Sequence, residues 1–220
     1  MNISQQFAPP FKLVGSFFIS AMIIFFISIL LLFNFDINLI HTQNSLVLSW
    51  VHLYLLGFVM MSIFASMAQL LPVILEVEHF SIDLYYVVNP LLFMGTTLIF
   101  IGFYKYPMVL SYGGVIVFIS FFIFLFESFL TIKKVKKLNF LSSTVLVANI
   151  FLFSGLVVAI VLSFVYSGVL FLNIKALMLS HIYLVFVGYL GITIISMSYI
   201  LIPMFWLSHS FNNIDRKSVV

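Results

Sequence analysis

Six long apolar segments constrain the fold of this chain more than any other feature. They cover approximately residues 13–33, 46–75, 86–104, 108–132, 141–166 and 176–207. Each can cross a hydrocarbon core about 30 Å thick, because a helix needs roughly 20 residues to do so. Backbone N–H and C=O groups in lipid must be hydrogen-bonded within their own segment, so the segments must be helices. The sequence therefore predicts an all-α, six-helix integral membrane bundle.

The composition excludes several classes of protein. Hydrophobic residues make up 64% of the chain and charged residues only 7%, whereas soluble domains are about a quarter charged. The nine Lys and Arg residues are too few for a nucleic-acid-binding surface, so no nucleic-acid partner is expected. The chain has no cysteine, which excludes disulfides, thiolate metal sites and cysteine nucleophiles. The connections are too short for a soluble domain, which predicts a single transmembrane domain over residues 1–220.

The lysines predict the orientation of the bundle. Loops rich in Lys and Arg stay in the cytoplasm, and Lys133, Lys134, Lys136 and Lys137 lie between the fourth and fifth segments. With six spans, both termini are then cytoplasmic as well. We expect a multi-pass protein of a bacterial-type inner membrane, surrounded by membrane lipid. A homodimer is a further arrangement that we expect for a bundle of this size.

Two histidines open two of the segments in the same way. His52 and His181 each lie about six residues inside a segment, or roughly 9 Å along a helix. The second and sixth helices run in the same direction, so the two imidazoles are expected at one depth. At about 100° per residue, His52 shares a face with Ser62, Ser66 and Gln69. His181 shares a face with Gly188 and Tyr199.

These faces point to a ligand site. Polar groups in lipid normally face the interior of a bundle or a cavity. Small residues beside a histidine permit close helix packing or leave room for a planar ligand. Two imidazoles at one level could bind the iron of a haem from opposite sides. Ordinary hydrogen-bonded interior histidines are the alternative interpretation.

The two histidine helices resemble a known pattern. His52-Leu-Tyr-Leu-Leu-Gly57, continued by Ser66-Met-Ala-Gln69-Leu-Leu-Pro72, is similar to the second helix of haem–copper oxidase and nitric-oxide reductase catalytic subunits, and to NnrS-type haem–copper membrane proteins. The stretch from His181 to Pro203 resembles a second copy of that helix. The resemblance covers about a quarter of the chain. It implies a b-type haem held toward the outer leaflet, with His52 matching the haem-ligating histidine of the family.

The departures from that pattern limit the expected chemistry. The sixth segment has no His-Pro-Glu-Val-Tyr-like run, and the chain has no adjacent His-His pair on a later helix. A copper site of three intramembrane histidines cannot be built from it. We therefore do not expect a complete oxidase or reductase. The expected role is electron transfer, haem or metal handling, or sensing, in a respiratory or nitrosative-stress context.

Two other functions remain open at this stage. A small transporter or channel could use the histidine-containing polar faces to line its path. A non-catalytic assembly partner, bound as a subunit to a respiratory complex, could use the same faces only to pack its helices. A transporter or channel would show pH-dependent flux of its substrate. An assembly partner would copurify with the respiratory complex.

Other polar residues have simpler interpretations. Glu127 lies six residues before Lys133, and extension of its carboxylate to the membrane surface is the expected arrangement. Asn149 is expected to form an interhelical hydrogen bond. Glu76, Glu78 and His79 are expected to lie in a solvated loop, since no second histidine follows at a metal-binding spacing.

Overall fold

Six helices form the whole of the regular structure in the described part of the chain. The computed structural model describes residues 7–35 and 44–207. The helices are Phe11–Leu32 (α1), Ser45–Leu75 (α2), Asp83–Tyr104 (α3), Val109–Lys133 (α4), Phe140–Tyr166 (α5) and Ile174–Phe205 (α6). Each is long and apolar enough to cross a membrane. The prediction of an all-α, six-helix, multi-pass membrane protein is confirmed.

The helix boundaries lie within three residues of those predicted. The largest difference is at α3, which begins at Asp83 rather than at residue 86. The carboxylate of Asp83 lies in the first turn, where it interacts favourably with the positive end of the helix dipole. An apolarity pattern misses such a polar first turn because the turn lies outside the hydrocarbon.

Helices that follow one another in the chain pack against one another. The most extensive contact joins α3 and α4, and the pairs α1–α2, α2–α3, α4–α5 and α5–α6 complete the series. Gly113 lets α4 approach α3 closely, since a Cβ atom there would lie 2.9 Å from the backbone nitrogen of Ile99. Small residues allow such backbone approach in membranes, where packing rather than the hydrophobic effect holds helices together.

This series leaves one seam. In the described residues, α2 packs on α1 and α3 while α6 packs on α5, and α2 and α6 make no extensive contact with each other. Helices α2 to α6 therefore form an incomplete ring around a common interior. We call the unpacked boundary between α2 and α6 the seam.

One end of the bundle carries two loops that touch. Lys134, after α4, donates from Nζ to the carbonyl oxygens of Glu78 at 3.2 Å and His79 at 2.7 Å. The loop between α2 and α3 and the loop between α4 and α5 therefore lie at the same end. We call it the Lys-rich end, which the lysine pattern predicts to be cytoplasmic.

A polar contact joins α4 and α5 in the interior. Asn149 donates from Nδ2 to Oγ of Ser128 at 2.9 Å, and both residues are buried. A hydrogen bond between membrane helices contributes about 0.6 kcal/mol on average. The expected interhelical role of Asn149 is confirmed.

Candidate functional site

Matching asparagine caps set the depth of the two histidines. Asn44 caps α2, where its side chain accepts a hydrogen bond from the backbone N–H of Leu46. Asn173 caps α6 in the same way, with the N–H of Ala176 as donor. His52 and His181 each lie eight residues after the cap of their own helix. At 1.5 Å per residue, both imidazoles start roughly 12 Å from a helix end.

Both imidazoles are held through the same ring nitrogen. Nδ1 of His52 lies 2.8 Å from the carbonyl oxygen of Leu48 on its own helix. Nδ1 of His181 lies 3.1 Å from the carbonyl oxygen of Gly155 on α5. A carbonyl can only accept, so in the neutral imidazole the proton is on Nδ1 and the lone pair on Nε2. Metal-binding histidines are commonly oriented by such a bond from the second nitrogen.

The two rings line one cavity. It has a volume of about 300 Å³ and lies among α2, α3, α4, α5 and α6. Its walls are mainly apolar, and polar side chains enter the lining only at His52, Ser163, Tyr166 and His181. Two imidazoles, each with Nδ1 bonded to a carbonyl oxygen, therefore line a space that otherwise offers little to a polar solute.

Aromatic rings form one wall of the cavity. The ring of Phe103 lies 4.9 Å from the imidazole of His52, centre to centre. The ring of Tyr166 contacts Phe103 edge-on at 5.3 Å. Packing of this kind restricts the rotation of His52, so that its free nitrogen keeps one direction.

The cavity reaches the outer surface of α6. Ile182 and Phe186 line it, yet 42% and 40% of their surfaces are exposed. In a membrane bundle, a surface of this kind lies against lipid.

Each histidine is followed by a π-helical segment. The segments are Leu53–Met60 on α2 and Tyr183–Gly191 on α6. π-Helical turns are rare and occur frequently at functional sites. Their appearance directly after both histidines adds a third likeness, beside the caps and the ring bonds, between the two halves of the site.

The π-helical segment of α2 overturns part of the predicted polar face. Ser62, Ser66 and Gln69 do not line the cavity. Gln69 is exposed, and Ser66 donates its hydroxyl to the carbonyl oxygen of Ser62 on the same helix. The prediction assumed 100° per residue throughout. A π-helix turns less per residue, so residues beyond it rotate away from the face of His52.

The two predicted supporting residues on α6 also lie elsewhere. Gly188 is buried against α5, where a Cβ atom would lie 2.6 Å from the ring of Phe151. A small residue here was expected either to permit close helix packing or to leave room for a planar ligand, and close packing is observed. Tyr199 lies beyond the cavity, with its ring 4.7 Å from that of Phe140.

Two imidazoles suit a metal ion whose other coordination positions are already filled by a cofactor. Among the described residues, no group of three or more His, Asp or Glu side chains comes together. Two imidazoles alone do not complete the coordination of a bare transition-metal ion, which requires further protein ligands. A porphyrin supplies four nitrogens itself and needs only axial ligands, which two imidazoles provide.

A second polar cluster lies outside the lining of the cavity, and its sequence-based interpretation is wrong. Glu127 does not extend to the membrane surface; it is fully buried, with 0% of its side chain exposed. His79 is not solvated either, because it folds back from its loop and bonds Glu127 at 2.8 Å. Only Glu76 and Glu78 are exposed as expected. The missed signal is Pro72, whose absent N–H leaves the carbonyl of Ala68 in need of a donor.

Asp36, His41 and His209 lie outside the described residues. Comparison of the chain with protein-family models, with curated proteins and with solved structures found no match. The site is therefore interpreted from its own geometry.

Proposed function

We propose that the protein binds a b-type haem in this cavity, with His52 and His181 as the axial ligands. One observation carries the proposal: two helices place the imidazoles of two histidines in the lining of one apolar cavity, and each ring is bonded through Nδ1 to a carbonyl oxygen, which leaves Nε2 for a ligand. Bis-histidine ligation is a common way to hold a haem that transfers electrons.

The surroundings support the same ligand. A macrocycle needs apolar walls and aromatic side chains, which the cavity offers at Phe103, Phe118 and Phe121. Its volume of about 300 Å³ is at the lower end of the usual range for ligand sites, roughly 300–1,000 Å³. The side chains at the seam must therefore move apart to admit a porphyrin.

Each part of the chain has a defined task in this proposal. A bound haem supplies one-electron redox chemistry at a fixed depth in the membrane. The carbonyls of Leu48 and Gly155 hold the imidazole protons on Nδ1, so that both Nε2 atoms remain free to coordinate. The apolar walls exclude water from the ligands. These properties support a role in electron transfer, haem or metal handling, or sensing, which we propose for a bacterial-type inner membrane.

The transporter hypothesis has less support. It requires a continuous polar path, yet Ser62, Ser66 and Gln69 do not line the cavity. Assembly with a respiratory complex is compatible with haem binding, and copurification of such a complex with the tagged chain tests it.

The direct test is a reduced-minus-oxidised absorption spectrum of the purified full-length protein from haem-replete cells. We expect the bands of a low-spin bis-histidine haem. His52→Ala and His181→Ala should each remove them, whereas His79→Ala, the same change at the other described histidine, should leave them in place in protein that has folded. A wild-type protein without haem bands, or bands that survive the double substitution, would refute the proposal.

A further inference from the structure

The second polar cluster lies at the Lys-rich end and has a chemistry of its own. Glu127 of α4 is six residues, or roughly 9 Å, inside the helix end at Lys133. Burial of a carboxylate at this depth costs several kcal/mol unless it is paired and hydrogen-bonded. Ionisable residues kept inside a membrane generally have a functional role.

The contacts of His79 require a proton between its ring and Glu127. Nε2 of His79 lies 2.8 Å from the carbonyl oxygen of Ala68, and Nδ1 lies 2.8 Å from Oε1 of Glu127. The carbonyl can only accept, so Nε2 carries a proton. A second proton must then lie in the bond between Nδ1 and Oε1, because otherwise a nitrogen lone pair would face a carboxylate.

Pro72 explains why this arrangement is stable. A proline has no N–H, so the carbonyl of the residue four positions earlier, Ala68, loses its partner in the helix. The imidazole of His79 replaces that partner. The helix thus fixes Nε2 as a donor, and Nδ1 is the ring nitrogen that lies against Glu127.

The other groups around the pair define its charge. Thr131 donates to Oε1 of Glu127 at 2.6 Å and accepts the backbone N–H of Phe80 at 2.9 Å. On α3, the ring of Tyr85 lies edge-on to that of His79 at 5.3 Å, and its hydroxyl is close to Glu127. Tyr189 of α6 is the next titratable group beyond it. Lys134 binds the backbone carbonyl of His79 and not its ring.

Access to water is one-sided. His79 belongs to the loop at the Lys-rich end and has 7% of its side chain exposed, whereas Glu127 has none. Oε2 of Glu127 and the hydroxyl of Tyr85 are both buried and have no hydrogen-bond partner of good geometry among the described residues. Of the two side chains of the pair, the imidazole is therefore the one that water at the Lys-rich end can reach.

We propose that His79 and Glu127 form a proton-binding site that takes up one proton from water at the Lys-rich end. Uptake forms one N–H bond at Nδ1 and involves no oxidation or reduction. Transfer inward breaks that N–H bond and forms an O–H bond at Oε1, which leaves a neutral imidazole still bonded to Ala68 through Nε2. The pair changes by one unit of charge on uptake and by none on transfer. This inference does not depend on what the cavity binds.

Infrared difference spectroscopy of the full-length protein in liposomes tests it, with 13C-labelled glutamate and buffers of stepped pH in H2O and D2O. The chain contains three glutamates, so Glu76→Gln and Glu78→Gln are matched controls for the exposed carboxylates. We expect a buried glutamate signal that changes at the same pH step as imidazole ring bands. Glu127→Gln should remove this signal, and His79→Gln should abolish the shared step.

Three results would overturn the proposal. A Glu127 signal that titrates identically in His79→Gln would show that no proton is shared. Absence of any change in Glu127 and His79 over the pH range in which the protein stays folded would show a fixed ion pair. If either substitution prevents folding, Thr131→Val is the second variant. It should shift the Glu127 band by removing a hydrogen bond, and an unshifted band would mean that the carboxyl observed is not in this site.

Discussion

His52 and His181 line one cavity from two helices that, in the described residues, make no extensive contact with each other. In each ring Nδ1 is bonded to a backbone carbonyl oxygen, of Leu48 in one case and of Gly155 in the other. The two partners differ in kind. His52 is held by its own helix, whereas His181 depends on the packing of α6 against α5.

The packing of α6 on α5 should therefore be essential for the position of His181. Gly188→Ala would place a Cβ atom 2.6 Å from the ring of Phe151, and overpacking of this kind costs about 1–3 kcal/mol. We expect lower stability in an unfolding titration, together with weakened haem binding if the proposed function is correct.

Two further variants make this prediction specific. Phe151→Leu in the Gly188→Ala background should recover part of the lost stability, because it removes atoms at the clash. Gly15→Ala is the control, since a Cβ atom there meets its nearest neighbour at an ordinary 3.6 Å. If Gly188→Ala and Gly15→Ala were equally stable, the close approach of α5 and α6 would be wrong.

The hydrogen bond between Asn149 and Ser128 should be measurable as a coupling. A double-mutant cycle with Asn149→Ala and Ser128→Ala is expected to give about 0.6 kcal/mol, and no more than about 1.7 kcal/mol, as for other membrane-protein hydrogen bonds. The free energy of unfolding in detergent micelles is the quantity to measure. Ser154→Ala serves as the control, since its hydroxyl bonds only its own helix at the carbonyl of Ile150. A coupling near zero for Asn149 and Ser128 would contradict the observed contact.

Pro72 should control the chemical environment of His79. In Pro72→Ala the helix regains an N–H that competes for the carbonyl of Ala68. We expect His79 to be held less firmly and to react faster with a histidine-selective acylating reagent, as measured by mass spectrometry of the modified peptide. Pro90→Ala removes a proline inside α3 and should leave the reactivity of His79 unchanged. An equal increase in both variants would indicate general loosening of the bundle instead.

The two asparagine caps should contribute unequally to stability. Replacement of a capping asparagine by alanine costs about 0.5–2 kcal/mol. Oδ1 of Asn44 accepts its hydrogen bond from Leu46 at 2.8 Å, whereas Oδ1 of Asn173 accepts its hydrogen bond from Ala176 at 3.4 Å. We therefore expect Asn44→Ala to lower the free energy of unfolding more than Asn173→Ala. Asn44→Ser retains a capping oxygen and should restore most of the loss, and failure to do so would argue against capping as the cause.

The helices could be predicted closely because one requirement dominates them. A segment in lipid must be apolar, helical and about 20 residues long, so composition alone places its ends within a turn. The equal depth of His52 and His181 follows from the same argument. Their shared cavity confirms only that they come together, and the haem itself stays a proposal.

The errors arose where local geometry or a distant contact decided the outcome. A period of about 100° per residue predicts that one helix face carries His52 together with Ser62, Ser66 and Gln69. The π-helical segment of α2 turns less per residue, so the prediction fails beyond it. Glu127 was assigned to the surface because its partner, His79, is 48 residues away in the sequence. Asn149 was simpler to predict, since any neighbouring helix could have supplied its hydrogen-bond partner.

The eight-residue interval between cap and histidine limits how this chain can change. One residue inserted within either interval would turn the imidazole by about 100° and move it by 1.5 Å, which would direct one nitrogen away from the other. Insertions before Asn44 or Asn173 would change loop length without moving either ring within its helix. The position of each histidine along its helix is thus fixed relative to the asparagine cap of that helix. The two intervals from cap to histidine should therefore tolerate neither insertion nor deletion.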